Sequence, residues 1–295
     1  MEKDFRQQVI TALREYAVAN DLKAEQLKGL TGVSKSYLEA MLSGSQKSGK
    51  TTIGDIHFKK VANAIGYHFE PVYWRHVDTV QYNSMMVELM DAKAKGREKM
   101  IIGESRCGKT YTTNLFKKKY PSQTYVVTVS SIHRLSDILD DICVQMDIDV
   151  KGNKVSKLRK IAAHVKEIKL KGGYPILIID EAENLLLPAL KMTKGLYDAL
   201  DGYCPIVLVG TNQLAINFKA LDRNDSKGLP QLYYRFLASN RPLEAIDKDR
   251  MFAPFLEIVE DANLKVLLMS IAKNYGVLNK YIEPALCEAS EMGLP

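Results

Sequence analysis

The stretch GESRCGKT, Gly103–Thr110, matches the phosphate-binding loop pattern G-x-x-x-x-G-K-[ST] at every fixed position. In such a loop, backbone N–H groups surround phosphates at the start of a helix, the lysine reaches the β- and γ-phosphates, and the Ser or Thr hydroxyl holds Mg²⁺. The chemistry requires a strand before the loop and a helix after it, and both are predicted here, from the apolar residues 100–102 and from YTTNLFKKKY, which begins at Tyr111. We therefore predict binding of ATP and Mg²⁺, with Thr110 as a metal ligand. The predicted ATP-binding residues are Gly103, Glu104, Ser105, Arg106, Cys107, Gly108, Lys109 and Thr110.

Strands alternate with helices around this loop. The β-branched run TYVVTV (124–129) is followed by predicted helices at about 134–146 and 155–170, while YPILIID (174–180) and PIVLVG (205–210) are continuous apolar runs typical of strands buried on both faces. This alternation predicts an α/β fold, a parallel sheet flanked by helices. The predicted domains are a small all-α helix-turn-helix domain (1–75), a helical linker (76–98), an ATPase core (99–245) and a C-terminal helical segment (246–295).

Acidic and polar residues follow the two apolar strands. Asp180 ends ILIID, where it can hold Mg²⁺, and Glu181 is placed to orient or deprotonate the attacking water. PIVLVG is followed by Thr211 and Asn212 at the same edge of the sheet. Asn212 is the favoured contact to the γ-phosphate or the water because an amide both donates and accepts hydrogen bonds; the alternative is a polar turn.

A later arginine completes the candidate catalytic residues. Arg235 lies between aromatic residues in QLYYRF. It is interpreted as an arginine finger that neutralises transition-state charge on the ATP of a neighbouring subunit, so that hydrolysis would require an oligomer. A surface arginine or a structural ion pair is the alternative.

The first 75 residues contain the pattern helix, short glycine turn, helix. In AEQLKGLTGVSKSYLEAMLSG, Gly32 permits a tight turn, and Lys35, Ser36 and Tyr37 are expected to face outward at the start of the second helix, where they can contact DNA. The segment 1–75 has eleven basic and eight acidic residues, a balance of +3, so DNA binding by this domain alone is not assured. The alternative is a protein docking module.

A second match to the phosphate-loop pattern, GSQKSGKT at Gly44–Thr51, lies within this domain. It follows a predicted helix and has no predicted strand to place its N–H groups against a phosphate. We interpret it as the loop after the second helix, with Lys47 and Lys50 available to DNA phosphates rather than to ATP.

The segment 151–171 has eight basic residues and one acidic residue, a local charge of +7, in a chain whose net charge is +6. Val155, Leu158, Ile161, Val165 and Ile168 form a predicted apolar stripe of a helix. The residues expected to face solvent and bind duplex DNA through its phosphates are Lys151, Lys154, Lys157, Arg159 and Lys160. The alternative is an ordinary solvated face.

The composition sets limits on the class of protein. No apolar run approaches the roughly 20 residues that cross a bilayer, and MEKDFRQQVI has no apolar core of a signal peptide. The lack of both segments predicts a cytoplasmic protein without a membrane partner.

With its phosphate loop, IIDEAENL, LVGTN and a later arginine in that order, the chain resembles the AAA+ ATPases, and within them the phage Mu B and IstB-type transposition proteins. The resemblance implies an ATPase that binds target DNA with little sequence preference, oligomerises on it with ATP, and recruits a transposase. It also implies an arginine after Gly-x-Leu in a late helix, where GVLNK has Asn279 and then Lys280. Two other functions stay open, a replication initiator or helicase loader and an ATP-switched transcription regulator.

Overall fold

The structure, a computed structural model, describes residues 2–67, 74–185, 187–223, 234, 236 and 239–291. The chain divides into two compact units, Met1–Tyr73 and Trp74–Pro295. Among the described residues, no helix is both long and apolar enough to cross a membrane.

The first unit packs its helices around one apolar core. Its elements are α1 (Glu2–Ala19), α2 (Ala24–Thr31), α3 (Lys35–Leu42), β1 (Lys47–Ser48), β2 (Thr51–Thr52) and α4 (Asp55–Ala64). Leu13, Leu27, Leu38 and Phe58, one from each helix, are fully buried together. The predicted pair of helices separated by a glycine turn is present as α2 and α3.

The prediction of a purely helical first domain misses the hairpin formed by β1 and β2. The strands are antiparallel, and the pairing of Ser48 with Thr51 leaves Gly49 and Lys50 as a two-residue turn. Gly49 has a φ of 61°, which the first position of a type II′ hairpin turn requires and which glycine adopts without strain. GSQKSGKT is therefore part of a hairpin, with neither the preceding buried strand nor the following helix start of a phosphate loop.

The second unit contains a five-stranded sheet whose paired strands are all parallel, in the order β4-β5-β6-β3-β7. Its strands are β3 (Lys99–Ile102), β4 (Thr124–Thr128), β5 (Ile176–Asp180), β6 (Ile206–Gly210) and β7 (Asn240–Pro242). Its helices are α5 (Val80–Lys95), α6 (Lys109–Lys119), α7 (Leu135–Gln145), α8 (Lys154–Leu170), α9 (Leu187–Leu200), α10 (Asn212–Arg223), α11 (Lys248–Met251), α12 (Ala253–Leu256), α13 (Ala262–Ile271) and α14 (Tyr275–Glu291).

Both faces of the sheet are covered, as the apolar runs predict. Leu177 and Ile179 of β5 pack with residues of α7 and α8, whereas the alternate residues Ile176 and Ile178 pack with α5 and Phe116 of α6. This alternation follows from the two-residue period of a strand. Because the strands are parallel, the carboxyl ends of β3, β5 and β6 meet at one edge of the sheet, where the phosphate loop begins.

The segment 76–98 does not form a separate linker. Met85, Leu89 and Ala92 of α5 are fully buried at helical spacing and pack with Ile101 and Phe116. The helix is therefore part of the layer that covers the sheet. The C-terminal helices have a separate apolar cluster, to which Trp74 also belongs.

A buried lysine joins α5 to β3. Lys99 is 6% exposed, and its Nζ lies 2.8 Å from Glu88 Oε2 and 2.7 Å from Asp91 Oδ2. Hydrogen bonds from Lys95 and Lys99 lower the pKa of Asp91 from 3.8 to about 2. The charged carboxylate therefore stabilises the folded state at neutral pH.

We expect Asp91→Asn to lower the free energy of unfolding by about 1 kcal/mol at neutral pH. Because the folded-state pKa is depressed, the wild-type advantage is present above the unfolded pKa of 3.8 and is lost as the pH falls through about 2. Urea unfolding of both proteins at several pH values between 7 and 3 measures how the difference between their unfolding free energies decreases. A difference that stays constant over that range would contradict the stabilising role of the charged Asp91.

Candidate nucleotide site

The predicted phosphate loop connects β3 to α6, as its chemistry requires. Arg106 and Gly108 have positive φ values of 61° and 93°, and α6 begins directly after them at Lys109. The first N–H groups of a helix lack intrahelical partners and attract anions. The predicted loop residues that line the adjoining cavity are Ser105, Arg106, Cys107, Gly108, Lys109 and Thr110.

The loop lysine is held by backbone oxygens. Lys109 Nζ donates hydrogen bonds to the carbonyl oxygens of Gly103, at 3.0 Å, and Glu104, at 2.7 Å. The two remaining predicted loop residues thus contact the lysine through their backbone. Its ammonium lies at the mouth of the loop, where phosphates can replace these carbonyl acceptors.

Thr110 and Asp180 come together at the start of α6 and the end of β5. Thr110 Oγ1 donates to Asp180 Oδ2 at 2.7 Å, and Asp180 Oδ1 accepts the N–H of Glu181 at 2.9 Å. Asp180 is only 1% exposed. A hydroxyl and a carboxylate oxygen beside a phosphate site are the oxygen ligands that Mg²⁺ uses with nucleotides, so these residues fit the predicted metal.

Glu181 follows in a strained backbone conformation. Its φ is 53°, in the left-handed region, and its side chain lines the cavity. Asn184 Nδ2 donates to the carbonyl oxygen of Val129 at 2.9 Å and to Glu181 Oε2 at 3.4 Å. The turn after β5 is thus tied to the end of β4, and the Glu181 carboxylate is directed into the cavity.

The other predicted site residues do not all line the cavity. Asn212 is the first residue of α10, is exposed and lies outside the cavity lining, whereas Thr211 lines the cavity. Arg235 lies outside the described residues. Asn279 lines the cavity, and its buried Oδ1 has no hydrogen-bond partner among the described residues, while Lys280 is exposed. Of the two residues that follow the Gly-x-Leu pattern, Asn279 is therefore the one that faces the site.

An aromatic end of the cavity was not predicted from the sequence. The cavity has a volume of about 560 Å³, and Trp74, His76, Tyr111, Phe255 and Tyr275 contribute to its lining. Trp74 and Phe255 stack with ring centroids 4.4 Å apart. These rings come from segments far apart in the chain, with no shared motif to indicate them. Phe255 and Tyr275 are buried, so the rings on which a planar base can stack are the more exposed Trp74, His76 and Tyr111.

Polar atoms fix the aromatic end. His76 lies between Asp78 Oδ1, 2.9 Å from its Nε2, and the hydroxyl of Tyr111, 3.1 Å from its Nδ1. The Tyr275 hydroxyl donates to Gln81 Oε1 at 2.9 Å. Burial raises the pKa of Tyr275 from 10.0 to about 12.

The predicted DNA contacts on α3 are only partly available. Lys35 is exposed, but its Nζ lies 3.1 Å from Glu25 Oε2. Ser36 is exposed, and its carbonyl oxygen accepts a hydrogen bond from Ser48 Oγ of the hairpin at 3.3 Å. The prediction that Tyr37 faces solvent is wrong. Its half-buried ring packs edge-on against His57, with ring centroids 5.0 Å apart.

On α8, the predicted basic face is narrower than expected. Lys151, Lys154 and Arg159 are exposed. Lys157 is 9% exposed and pairs with Asp140 of α7, a correction that follows from its position one helical turn before the buried Ile161. Lys160 Nζ lies 3.2 Å from Asp149 Oδ2. Val155, assigned to the apolar stripe, is instead 57% exposed.

The geometry of the second unit agrees with comparisons to known proteins. The AAA domain family matches residues 99–216. The solved structure of the Aeropyrum pernix ORC2 protein in its ADPNP–ADP complexes superposes with a TM-score of 0.54, at 16% identity over 77% of this chain and 66% of that chain. Cdc6p from Pyrobaculum aerophilum superposes equally well, at 17% identity over 77% of this chain and 65% of that one. Residues 99–216 therefore match the AAA domain family, and the second unit has the AAA+ ATPase fold.

In sequence, the chain is also similar to a transposition protein. The Mu-like prophage FluMu DNA transposition protein B of Haemophilus influenzae is 24% identical over 218 residues, which are 72% of this chain and 72% of that protein. The chain is thus similar to a transposition protein of the Mu B type, as its motifs predict.

Proposed function

We propose that this protein binds and hydrolyses ATP with Mg²⁺, assembles on target DNA as an ATP-bound oligomer, and recruits or stimulates a transposase. The observation that carries the proposal is the similarity to a transposition protein over 72% of both chains. The contact of Thr110 with Asp180 beside the phosphate loop supports the nucleotide chemistry. The likeness to the ORC and Cdc6 structures supports the fold alone.

The proposed hydrolysis assigns a task to each side chain at the sheet edge. Lys109 exchanges its carbonyl acceptors for β- and γ-phosphate oxygens, and Glu181 accepts a proton from the attacking water. Thr110 and Asp180 hold Mg²⁺, which neutralises phosphate charge when bound. Thr211 or Asn212 senses the γ-phosphate at the end of β6, and Arg235 is proposed to act on the ATP of a neighbouring subunit.

The proposed DNA contacts are phosphate contacts. Lys151, Lys154 and Arg159 are exposed on and before α8, and an oligomer would repeat them once per subunit along the duplex. Such binding depends on charge and tolerates any sequence. The exposed residues Lys35 and Ser36 of the first unit are proposed as a second, weaker contact because Lys35 is already paired with Glu25.

Reversing the charge of α8 tests this surface. We expect Lys154→Glu with Arg159→Glu to lower the affinity for long random-sequence duplex about tenfold or more and to reduce the slope of log K against log salt by about 2, one unit for each lost phosphate contact. Fluorescence anisotropy with ATP over a series of salt concentrations measures both quantities.

The matched control reverses two exposed lysines elsewhere in the second unit, Lys219→Glu with Lys273→Glu, which changes the net charge equally. Equal loss of affinity in both double variants would show a general charge effect and contradict the assignment to α8. Footprinting on natural DNA that carries an origin and regulatory sites separates the other functions: a single protected site indicates a regulator, and protection confined to the origin indicates an initiator.

A further inference from the structure

A second glutamate lies beside the hydrolytic residues. Glu183 belongs to the short 3-10 turn Ala182–Asn184 after β5, and its side chain lines the cavity. Its Oε2 is buried and has no hydrogen-bond partner within the part of the chain that the structure describes. The backbone of Glu183 is fixed, because its carbonyl oxygen accepts a hydrogen bond from Asn217 Nδ2 at 2.9 Å.

The end of β6 leaves the room that this carboxylate occupies. A Cβ atom on Gly210 would lie 2.6 Å from Glu183 Oε2, well inside contact distance. Gly210 is followed by Thr211, which lines the cavity. The buried oxygen therefore lies between the carboxyl ends of β5 and β6, at the same sheet edge as Asp180 and Glu181.

The chemistry of this oxygen restricts what can bind it. An ionised carboxylate only accepts hydrogen bonds, and the phosphate oxygens of a nucleotide are acceptors as well. Lys109 is directed to the loop carbonyls and does not contact Glu183. The missing partner is therefore a donor, and the smallest one that can enter the cavity lined by Glu183 is a water molecule. Burying an acceptor without a partner is costly, so the unpaired state is explained when a ligand-bound water supplies the donor.

We propose that Glu183 holds the attacking water of ATP hydrolysis together with Glu181, an inference that rests on the proposed ATPase function. Glu183 accepts a hydrogen bond from one O–H of the water, and Glu181 takes the proton of the other. The water oxygen forms a bond to the γ-phosphorus while the bond from that phosphorus to the β–γ bridging oxygen breaks. ADP leaves with that electron pair, and the proton passes from Glu181 to solvent.

Two substitutions test the inference on the full chain. Glu183→Ala removes the acceptor and is expected to lower kcat about tenfold without changing KM for ATP. Glu183→Gln keeps the shape but removes the buried charge, so the thermal midpoint of the nucleotide-free protein should rise by about 3 °C while kcat falls. A residue with only a structural role would not combine lower turnover with higher stability. Glu260→Gln, at an exposed position on the C-terminal segment, is the control.

Gly210→Ala provides a second route to the same test. The new methyl displaces the Glu183 carboxylate without removing it, so kcat should fall by a similar factor. In the Glu183→Ala background the same change should have a much smaller effect, because the close contacts that remain for the new methyl are with Leu214, at 3.1 and 3.3 Å. If the fold-decrease in kcat of the double variant equals the product of the two single decreases, the coupling between Gly210 and Glu183 is contradicted.

The outcomes separate the inference from the proposed function. Absence of ATP turnover in the wild-type protein would contradict both the proposed ATPase function and the inference about Glu183. Turnover in the wild type with an unchanged kcat in Glu183→Ala would contradict only the role of Glu183. A fall in thermal midpoint with a raised KM in Glu183→Gln would show that the residue supports the fold, and would overturn the inference as well.

Discussion

Replacing Lys109 with alanine is expected to lower the affinity for ATP by about 100-fold or more. The ammonium is placed at the loop mouth by the carbonyl oxygens of Gly103 and Glu104, and charge-assisted hydrogen bonds to phosphates contribute about 1.5–3 kcal/mol each. Losing two of them corresponds to at least two powers of ten in affinity. Titration of a fluorescent ATP analogue measures the change.

The chain contains its own matched control for this prediction. Lys50 holds the equivalent position in GSQKSGKT, but it lies in the turn of a hairpin in the first unit. Lys50→Ala is expected to leave the affinity for ATP unchanged. Equal losses from both substitutions, or a loss from Lys50→Ala alone, would contradict the placement of the nucleotide site in Gly103–Thr110.

Replacing Glu181 with glutamine is expected to lower kcat by about 100-fold or more while ATP binding is retained. The amide keeps the size of the side chain but cannot accept a proton, and a positioned general base contributes roughly 10²–10⁴-fold to a rate. Phosphate release under saturating ATP, with the affinity measured separately, tests both parts of this expectation.

The retained binding distinguishes this variant from one that damages the loop. Glu181 contacts neither Lys109 nor Thr110, and its hydrogen bond from Asn184 can be accepted equally by the amide oxygen of glutamine. A variant that binds ATP normally and hydrolyses it at the wild-type rate would exclude Glu181 as the base. Loss of binding together with turnover would show that the residue supports the loop itself.

The parts of the fold that could be predicted from the sequence are those whose signal is local. β5 and β6 are buried on both faces, so their apolar runs stand out from the flanking segments. β7 gives no such signal, because Asn240, Arg241 and Pro242 form a short strand that pairs with β3 at the edge of the described sheet. The hairpin strands have two residues each and no apolar alternation, so only the Gly49 turn could have indicated them.

The residues of the site also divide into those with a local sequence signal and those without one. The phosphate loop is recognisable because its chemistry needs backbone groups in one continuous stretch. The aromatic end needs Trp74 and Phe255, which are distant in the chain and meet only in the folded unit. An apolar stripe that starts at Val155 places Lys157 toward solvent, whereas the pairing of Lys157 with Asp140 depends on how α7 and α8 pack. Thr211 and Glu183 likewise face the cavity because of backbone geometry at the strand ends.

Electron microscopy of the protein on long non-specific duplex DNA tests the central claim most directly. At low salt, continuous protein-coated stretches are expected with ATP or a slowly hydrolysed analogue, with little coating in the absence of nucleotide. Lys109→Ala should behave as the nucleotide-free protein under all conditions. Absence of any assembly on DNA with ATP, or equal coating with and without it, would contradict the account.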